Sequence, residues 1–566
     1  MSNGAHSLPL GNSLPANDKH AVSVSLPTWD NIVRYMQQDR NIHEKLQSDY
    51  PRFYQHADVE ILNKVVLQRL QAAPAYKCAI FPSLNGARRC EQYLLTKATA
   101  CDERLAPTRS ISFFLSKNEI GNDEVARWAQ FTAVLYDQKL AESIVEFWGW
   151  FGDGISSRHA IFCSERFNLM EILTTPQNEL LPSPPPSPPA SEMLCTSQKQ
   201  VATTPWPPPA SESANEIRKL IAKWAQPIAE IDDLLDWQKD VCLFPKGMCA
   251  ISAVARALVP SANTGASEAV VFGWPYGSTP KCVNLSGYER FTFYSQGTSK
   301  ELDVLEAKLQ SGSRIACLFC EVPSNPLCAI PDLYRIRNLA DVYDFVVVCD
   351  ETIGTFVNVD VLLLVDVLIT SLTKLFSGAC NVMGGSVVLN PRSKHYSHLR
   401  STLDEMHEDL MFPKDAAVLL QNCLSFPERV QIANRNALAI VDFLQKQPAD
   451  LITRVNYPTT VASRHLYERY RRKPSGGYGS LISVIFKDPA QARTFYNAID
   501  LCKGPSFGAN FTLVLPYSQL AHAFELDWAE SLGMPKHIIR ISVGLEDKDL
   551  LTRRLHDALR AAEVAQ

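Results

Sequence analysis

The chain has 566 residues, 46% hydrophobic and 20% charged, which excludes a disordered protein and provides for three to four units of roughly 150 residues. A net charge of −5 supplies no general drive toward nucleic acid or an anionic membrane surface. No apolar run reaches the roughly 18 residues that cross a bilayer, the amino terminus lacks a signal peptide's basic start and apolar core, and 15 cysteines in so long a chain are expected to be reduced thiols of a cytoplasmic protein.

In chain order, residues 1–60 are polar and irregular, then carry HAVSVSLPTWDNIVRYM and SDYPRFYQH. Over 61–174, VEILNKVVLQRLQAA and WAQFTAVLYDQKLAESIVEFWGWF place apolar residues at helical spacing. The second closes at Gly152 and Gly154, so this stretch is expected to be a helical insertion whose aromatics form a core. Residues 175–213 are rich in Pro and Ser and are read as a linker in which neither helix nor sheet persists. ANEIRKLIAKWAQPIAEIDDLLDWQKDV predicts a helix broken near Pro227. SRIACLFCEV (313–322), DFVVVCDET (344–352) and VDVLITSL (365–372) are continuous, β-branched runs typical of buried strands. The helical spacer PDLYRIRNLADVYD between the first two makes a βαβ unit and a largely parallel sheet. The helical RVQIANRNALAIVDFLQK and the strand-then-helix LISVIFKDPAQARTFYNAI follow. The expected architecture is α/β, with a large domain over 214–400 and a smaller C-terminal α/β domain over 401–566.

One constellation carries chemistry. A predicted strand ends in Asp350; the next ends in Ser371-Leu372-Thr373-Lys374, with glycines following. In an open parallel sheet ligands gather at the carboxyl ends of strands. A lysine for a Schiff base, an acid for a pyridinium nitrogen, and hydroxyls and backbone N–H groups for a phosphate are the needs of pyridoxal 5'-phosphate. A lysine and an aspartate on two surface strand ends fit the same pattern.

S-L-T-K followed by FSG…NVMGGS resembles the signature of the Cys/Met-metabolism family of pyridoxal phosphate enzymes, the cystathionine γ-synthase group. E-V-P-S-N-P (321–326) followed by Asp332-Leu333, I-I-R-I-S-V-G-L-E-D (538–547) and F-P-K-G-M-C-A-I (244–251) are similar to further motifs of that family, in order. HAVSVSLPTWDN and Y-P-R-F resemble the long members found in filamentous fungi. The resemblance implies an aspartate aminotransferase-like fold (fold type I). It implies Lys374 as the Schiff-base lysine and proton shuttle, Asp350 against the pyridine nitrogen, and Tyr276 stacked on the ring. Asn325 would lie near the phenolic oxygen and the substrate. Gly247 and Met248 would hold the phosphate through backbone N–H groups, with Ser371 and Thr373. Tyr50 and Arg52 match an arm inserted into the neighbouring subunit, which implies a homo-oligomer, a dimer of dimers with shared sites. Arg540 would grip the substrate α-carboxylate through its planar fork, beside Ser506.

The implied reaction is γ-replacement on an O-acyl-homoserine, with cysteine giving cystathionine, or with another sulfur or a carbon nucleophile in a natural-product pathway. A γ-lyase-type elimination, and an interaction scaffold of weak activity, are the alternatives. Three departures stand out: Lys246 opens the phosphate turn where serine is usual, Ala379 and Cys380 replace polar residues, and no glutamate follows Ser506. Cys317 and Cys320 are expected in a buried strand rather than at a metal, His537 as structural, and Arg469–Lys473 and Arg553-Arg554 as solvated faces. No metal, nucleic-acid or membrane partner is expected.

Overall fold

The computed structural model describes residues 6–51, 53–99, 105–173, 211–229, 234–260 and 267–564. Arg52 and nearly all of the 175–213 linker lie outside them.

Sixteen strands among these residues form three sheets. The first holds β1 (Tyr76–Phe81), β2 (Arg109–Leu115), β3 (Gln130–Asp137) and β4 (Met170–Leu173), in the order β1-β3-β2-β4, all antiparallel. The expectation of a helical insertion over 61–174 is therefore corrected. Helices are present at Ala57–Arg69, Leu84–Ala98, Ala141–Phe151 and Ser157–Arg166, but they pack on a sheet. The error has a physical source. QFTAVLYD is buried at every position, and a continuous apolar run does not separate strand from buried helix by periodicity. One face of this sheet packs a core of Ile80, Phe113, Trp128 and Phe131. The other carries Phe81, Val134, Phe147 and Phe151 into one continuous core with Ala250, Val254 and Cys282 of the next domain. This unit is thus fused to its neighbour by shared apolar packing.

The central sheet has seven strands: β5 (Val241–Phe244), β6 (Glu268–Phe272), β7 (Arg290–Tyr294), β8 (Cys317–Glu321), β9 (Val346–Asp350), β10 (Val367–Thr370) and β11 (Gly385–Leu389), ordered β5-β11-β10-β9-β8-β6-β7. All pairings are parallel except those of β11 with β10 and β5. The three predicted strands are β8, β9 and β10, buried along almost their whole length, and the predicted crossover helix is Leu333–Tyr343. The helix before Pro227 spans Glu212–Ala225; residues 234–240 form turns rather than its continuation.

The third sheet, β12 (Ile452–Asn456), β13 (Leu481–Phe486), β14 (Cys502–Lys503), β15 (Leu513–Pro516) and β16 (Ile539–Ser542), is ordered β12-β13-β16-β15-β14. Its core also receives the amino-terminal segment. Thr28 caps the helix Trp29–Met36 in a capping box with Asn31, and Trp29, Ile32 and Tyr35 bury against Ile440, Val441, Phe495 and Leu515. At roughly 1.5–3 kcal/mol per buried large apolar side chain, this docking is a firm part of the C-terminal domain. No helix among the described residues is long and apolar enough to cross a membrane.

Candidate active site

The parallel strands β8, β9 and β10 end side by side. Their register puts Glu321 opposite Asp350 and Asp350 opposite Ile369, so the segment after β10 leaves the sheet beside two carboxylates. The cavity there, about 820 Å³ and open to solvent, is lined by Glu321, Asp350, Ser371, Thr373 and Lys374, together with Tyr276 and Asn325.

Asp350 Oδ1 accepts the Thr352 N–H at 2.9 Å, and Thr352 Oγ1 accepts the Ser371 N–H at 2.8 Å. Glu321, without an assigned role in the sequence, accepts the Tyr276 N–H at 2.5 Å and the Asn325 N–H at 3.1 Å. It therefore fixes both loops, the one that carries Tyr276 and the one that carries Asn325. Burial, then the charge of Asp350, holds the Glu321 carboxyl well above the usual range. Burial also raises Asp350, against hydrogen bonds from Thr352 that lower it. Backbone N–H bonds from Tyr276 and Asn325 oppose that rise at Glu321 as well.

Lys374 is 4% exposed. Its Nζ donates to Tyr50 Oη at 2.9 Å and to Ser506 Oγ at 3.2 Å. Arg429 donates to the carbonyls of Leu375 and Phe376 at 3.0 and 2.8 Å, which fixes the turn just after the lysine. Arg540, in the middle of β16, donates to the carbonyls of Pro505 and Ser506, both at 3.0 Å, and to Asn325 Oδ1 at 3.4 Å. It is 4% exposed and forms no ion pair with a carboxylate among the described residues. The Lys374 ammonium and the Arg540 guanidinium both lie over the Phe507 ring, at 4.6 and 5.1 Å.

On the other side of the cavity, Gly247 opens the helix Gly247–Ala257, whose N-cap, Lys246, makes no side-chain capping bond. The first N–H groups are thus left for another acceptor. A Cβ on Gly247 would lie 2.9 Å from both Cβ and Oγ of Ser371, so glycine is what lets these two elements meet. Met248 lines the same wall. Thr373 lines the cavity too, but its hydroxyl exchanges hydrogen bonds with the backbone of Gly384, at 3.3 and 3.1 Å; the free hydroxyl on this side is better supplied by Ser371.

Tyr50 reaches the lysine of its own chain. The packing of the amino-terminal segment brings it there. Val22 N–H donates to Cys380 O at 2.9 Å, Leu26 N–H to Lys503 O at 3.0 Å, and Ser506 N–H to Ser23 Oγ at 3.4 Å. Trp148 and Gly149 of the amino-terminal α/β unit also line the cavity. Ser278 Oγ donates to Gly149 O and Cys249 Sγ to Gly152 O, each at 3.1 Å. In the sequence Trp148 is one apolar position of a helix, with nothing to mark it as a wall of the site. His537 Nε2 donates to Phe486 O at 3.2 Å, a structural contact, and Cys317 and Cys320 lie buried in β8, both as expected.

A family profile described as Cys/Met metabolism PLP-dependent enzyme matches residues 228–560, and one described as fungal trans-sulfuration enzyme, N-terminal domain, matches 58–156. The chain is 43% identical over 565 residues to a cystathionine gamma-synthase-like protein of Aspergillus thermomutatus, covering 100% of this chain and 96% of that protein. It is 34% identical over 623 residues to the cystathionine gamma-synthase of Neurospora crassa, covering 98% of each. The fold matches a crystal structure of cystathionine gamma synthase from Xanthomonas oryzae pv. oryzae with a TM-score of 0.53 at 21% identity, over 63% of this chain and 87% of that one.

Proposed function

Because the chain belongs to the Cys/Met-metabolism family of pyridoxal phosphate-dependent enzymes, we propose that it catalyses γ-replacement on an O-acyl-homoserine, with a thiol amino acid of the cysteine type as nucleophile. Family membership implies pyridoxal phosphate, and the residues present fit it. Asn325 Nδ2 is buried with no acceptor, free for the phenolic oxygen. The Gly247–Ser371 contact forms a cradle that any Cβ would fill. Asp350 faces the cavity for a pyridinium nitrogen. When bound, the cofactor supplies a carbonyl for the substrate amine and an electron sink for negative charge at Cα.

The observation that carries the proposal is the pairing of Lys374 with Arg540 through residues 506–507. An amine and an unpaired buried guanidinium a side chain apart suit the α-amine and α-carboxylate of one amino acid. Arg540 binds the carboxylate with a planar fork that lysine lacks. Lys374 would be the base that takes the proton from Cα and moves it toward Cβ. Tyr50 and Ser506 orient the amine between transfers. Asp350 holds the proton of the ring nitrogen, and Glu321 keeps Tyr276 and Asn325 in place. In the net reaction the Cγ–O bond breaks, its electron pair leaving with the acyl carboxylate. The S–Cγ bond forms, and the thiol proton ends on the released carboxylic acid.

The test is incubation of the purified protein with O-acetyl- or O-succinylhomoserine and L-cysteine. Cystathionine formation that depends on the ester is expected. Release of ammonia and a keto acid faster than replacement would instead make the protein a lyase.

A further inference from the structure

A second chamber, about 680 Å³ and open to solvent, adjoins the catalytic cavity and shares Val22, Pro51, Trp148, Lys246 and Met383 with it. We propose that this chamber docks the second substrate by its carboxylate, with Lys246 and Trp148 as the donors; the identity of that substrate as a small amino acid rests on the γ-replacement proposed above.

Both donors are unspent. Trp148 Nε1 is buried and has no acceptor among the described residues. Lys246 forms no ion pair there, because Asp153, the acid beside it, is engaged by Arg89 at 2.8 Å. The ammonium reaches the Gly152–Gly154 loop, which packs against the helix start. A Cβ on Gly154 would come within 3.3 Å of Lys246 Nζ, and Gly154 lines the chamber but not the catalytic cavity. Burial lowers the pKa of the Lys246 amine against the charge of Asp153 beside it, and a carboxylate ligand would favour its charged form. Two donors side by side are complementary to one carboxylate. The nearby histidines are satisfied, His20 by Ser157 and His56 by Lys19 O.

The test is calorimetric titration of the pyridoxal phosphate-loaded protein with 3-mercaptopropionate. It carries the thiol and the carboxylate but no amine to react at the cofactor. Saturable binding is expected, absent for 2-mercaptoethanol, at least tenfold weaker in Lys246→Met, several-fold weaker in Trp148→Phe and retained in Arg540→Leu. Loss in Arg540→Leu would assign the ligand to the substrate carboxylate site and overturn the proposal. So would a tenfold loss of cofactor affinity in Lys246→Met by equilibrium dialysis, which would give the ammonium to the phosphate, or absence of binding to the parent protein. Because binding is read without turnover, a failure of γ-replacement itself is seen separately.

Discussion

Tyr50 Oη accepts a hydrogen bond from Lys374 Nζ of the same chain at 2.9 Å, and the segment that carries Tyr50 is part of the core of its own C-terminal domain. Lys374, Tyr50 and Arg540 thereby come together within one chain. Tyr50→Phe is expected to lower kcat about 10²-fold, the lower range for loss of a proton-handling group, and Lys374→Ala to abolish turnover. The two inactive chains, co-refolded into mixed assemblies, should recover no activity. Recovery toward half the parental value per assembly would mean that the tyrosine is supplied across a subunit boundary.

Arg540 is held by two backbone carbonyls and Asn325, and its remaining donors have no carboxylate among the described residues. Arg540→Lys keeps the charge but loses the fork. A hydrogen bond to a charged group contributes about 1.5–3 kcal/mol, so KM for the homoserine ester should rise about 10- to 100-fold. Cofactor absorbance should stay intact, because the arginine sits at the substrate end. A fall in kcat with KM unchanged would contradict this role.

Gly247→Ala places a methyl group 2.9 Å from Ser371 Cβ and Oγ, closer than non-bonded atoms approach. The helix start and the segment after β10 must then move apart, and both line the cavity proposed to hold the cofactor phosphate. Equilibrium dialysis should show cofactor affinity reduced at least tenfold, while Gly86→Ala, whose Cβ comes no nearer than 3.5 Å to any neighbour, leaves affinity as it was. Equal affinities in the two variants would remove Gly247 from the cradle.

What was legible in the sequence follows a physical line. β8, β9 and β10 announced themselves because a parallel strand buried on both faces is apolar at every position, and the acid and lysine at their ends followed from where such sheets bind ligands. The same full burial misled at β3, where a mostly apolar run joined to the helix Ala141–Phe151 and hid a sheet. Trp148 and Lys246 were invisible as neighbours because they meet only through the packing of two units far apart in sequence. Glu321 stood inside a recognised motif, yet its work is to accept two backbone N–H groups, and a motif does not say which backbone a side chain will hold. The docking of Tyr50 depends on Val22, Ser23 and Leu26 meeting the chain beyond residue 380, which no local pattern encodes.

Asp49 precedes Tyr50 and accepts both its N–H, at 2.6 Å, and the Tyr35 hydroxyl. Burial pushes its carboxyl up to about 7, whereas an unfolded chain titrates near 3.9. Between those values the folded protein keeps a proton that the unfolded chain has released. Stability contributed by Asp49 is therefore complete below about pH 4 and declines as the pH rises through about 7. Melting temperatures measured from pH 5 to 8 should fall across this window. Asp49→Asn, which retains an acceptor for both bonds and cannot ionise, should flatten that slope. If the variant and the parent protein show parallel profiles, the group that titrates lies elsewhere, and the position of Tyr50 is not tied to the ionisation of its neighbour.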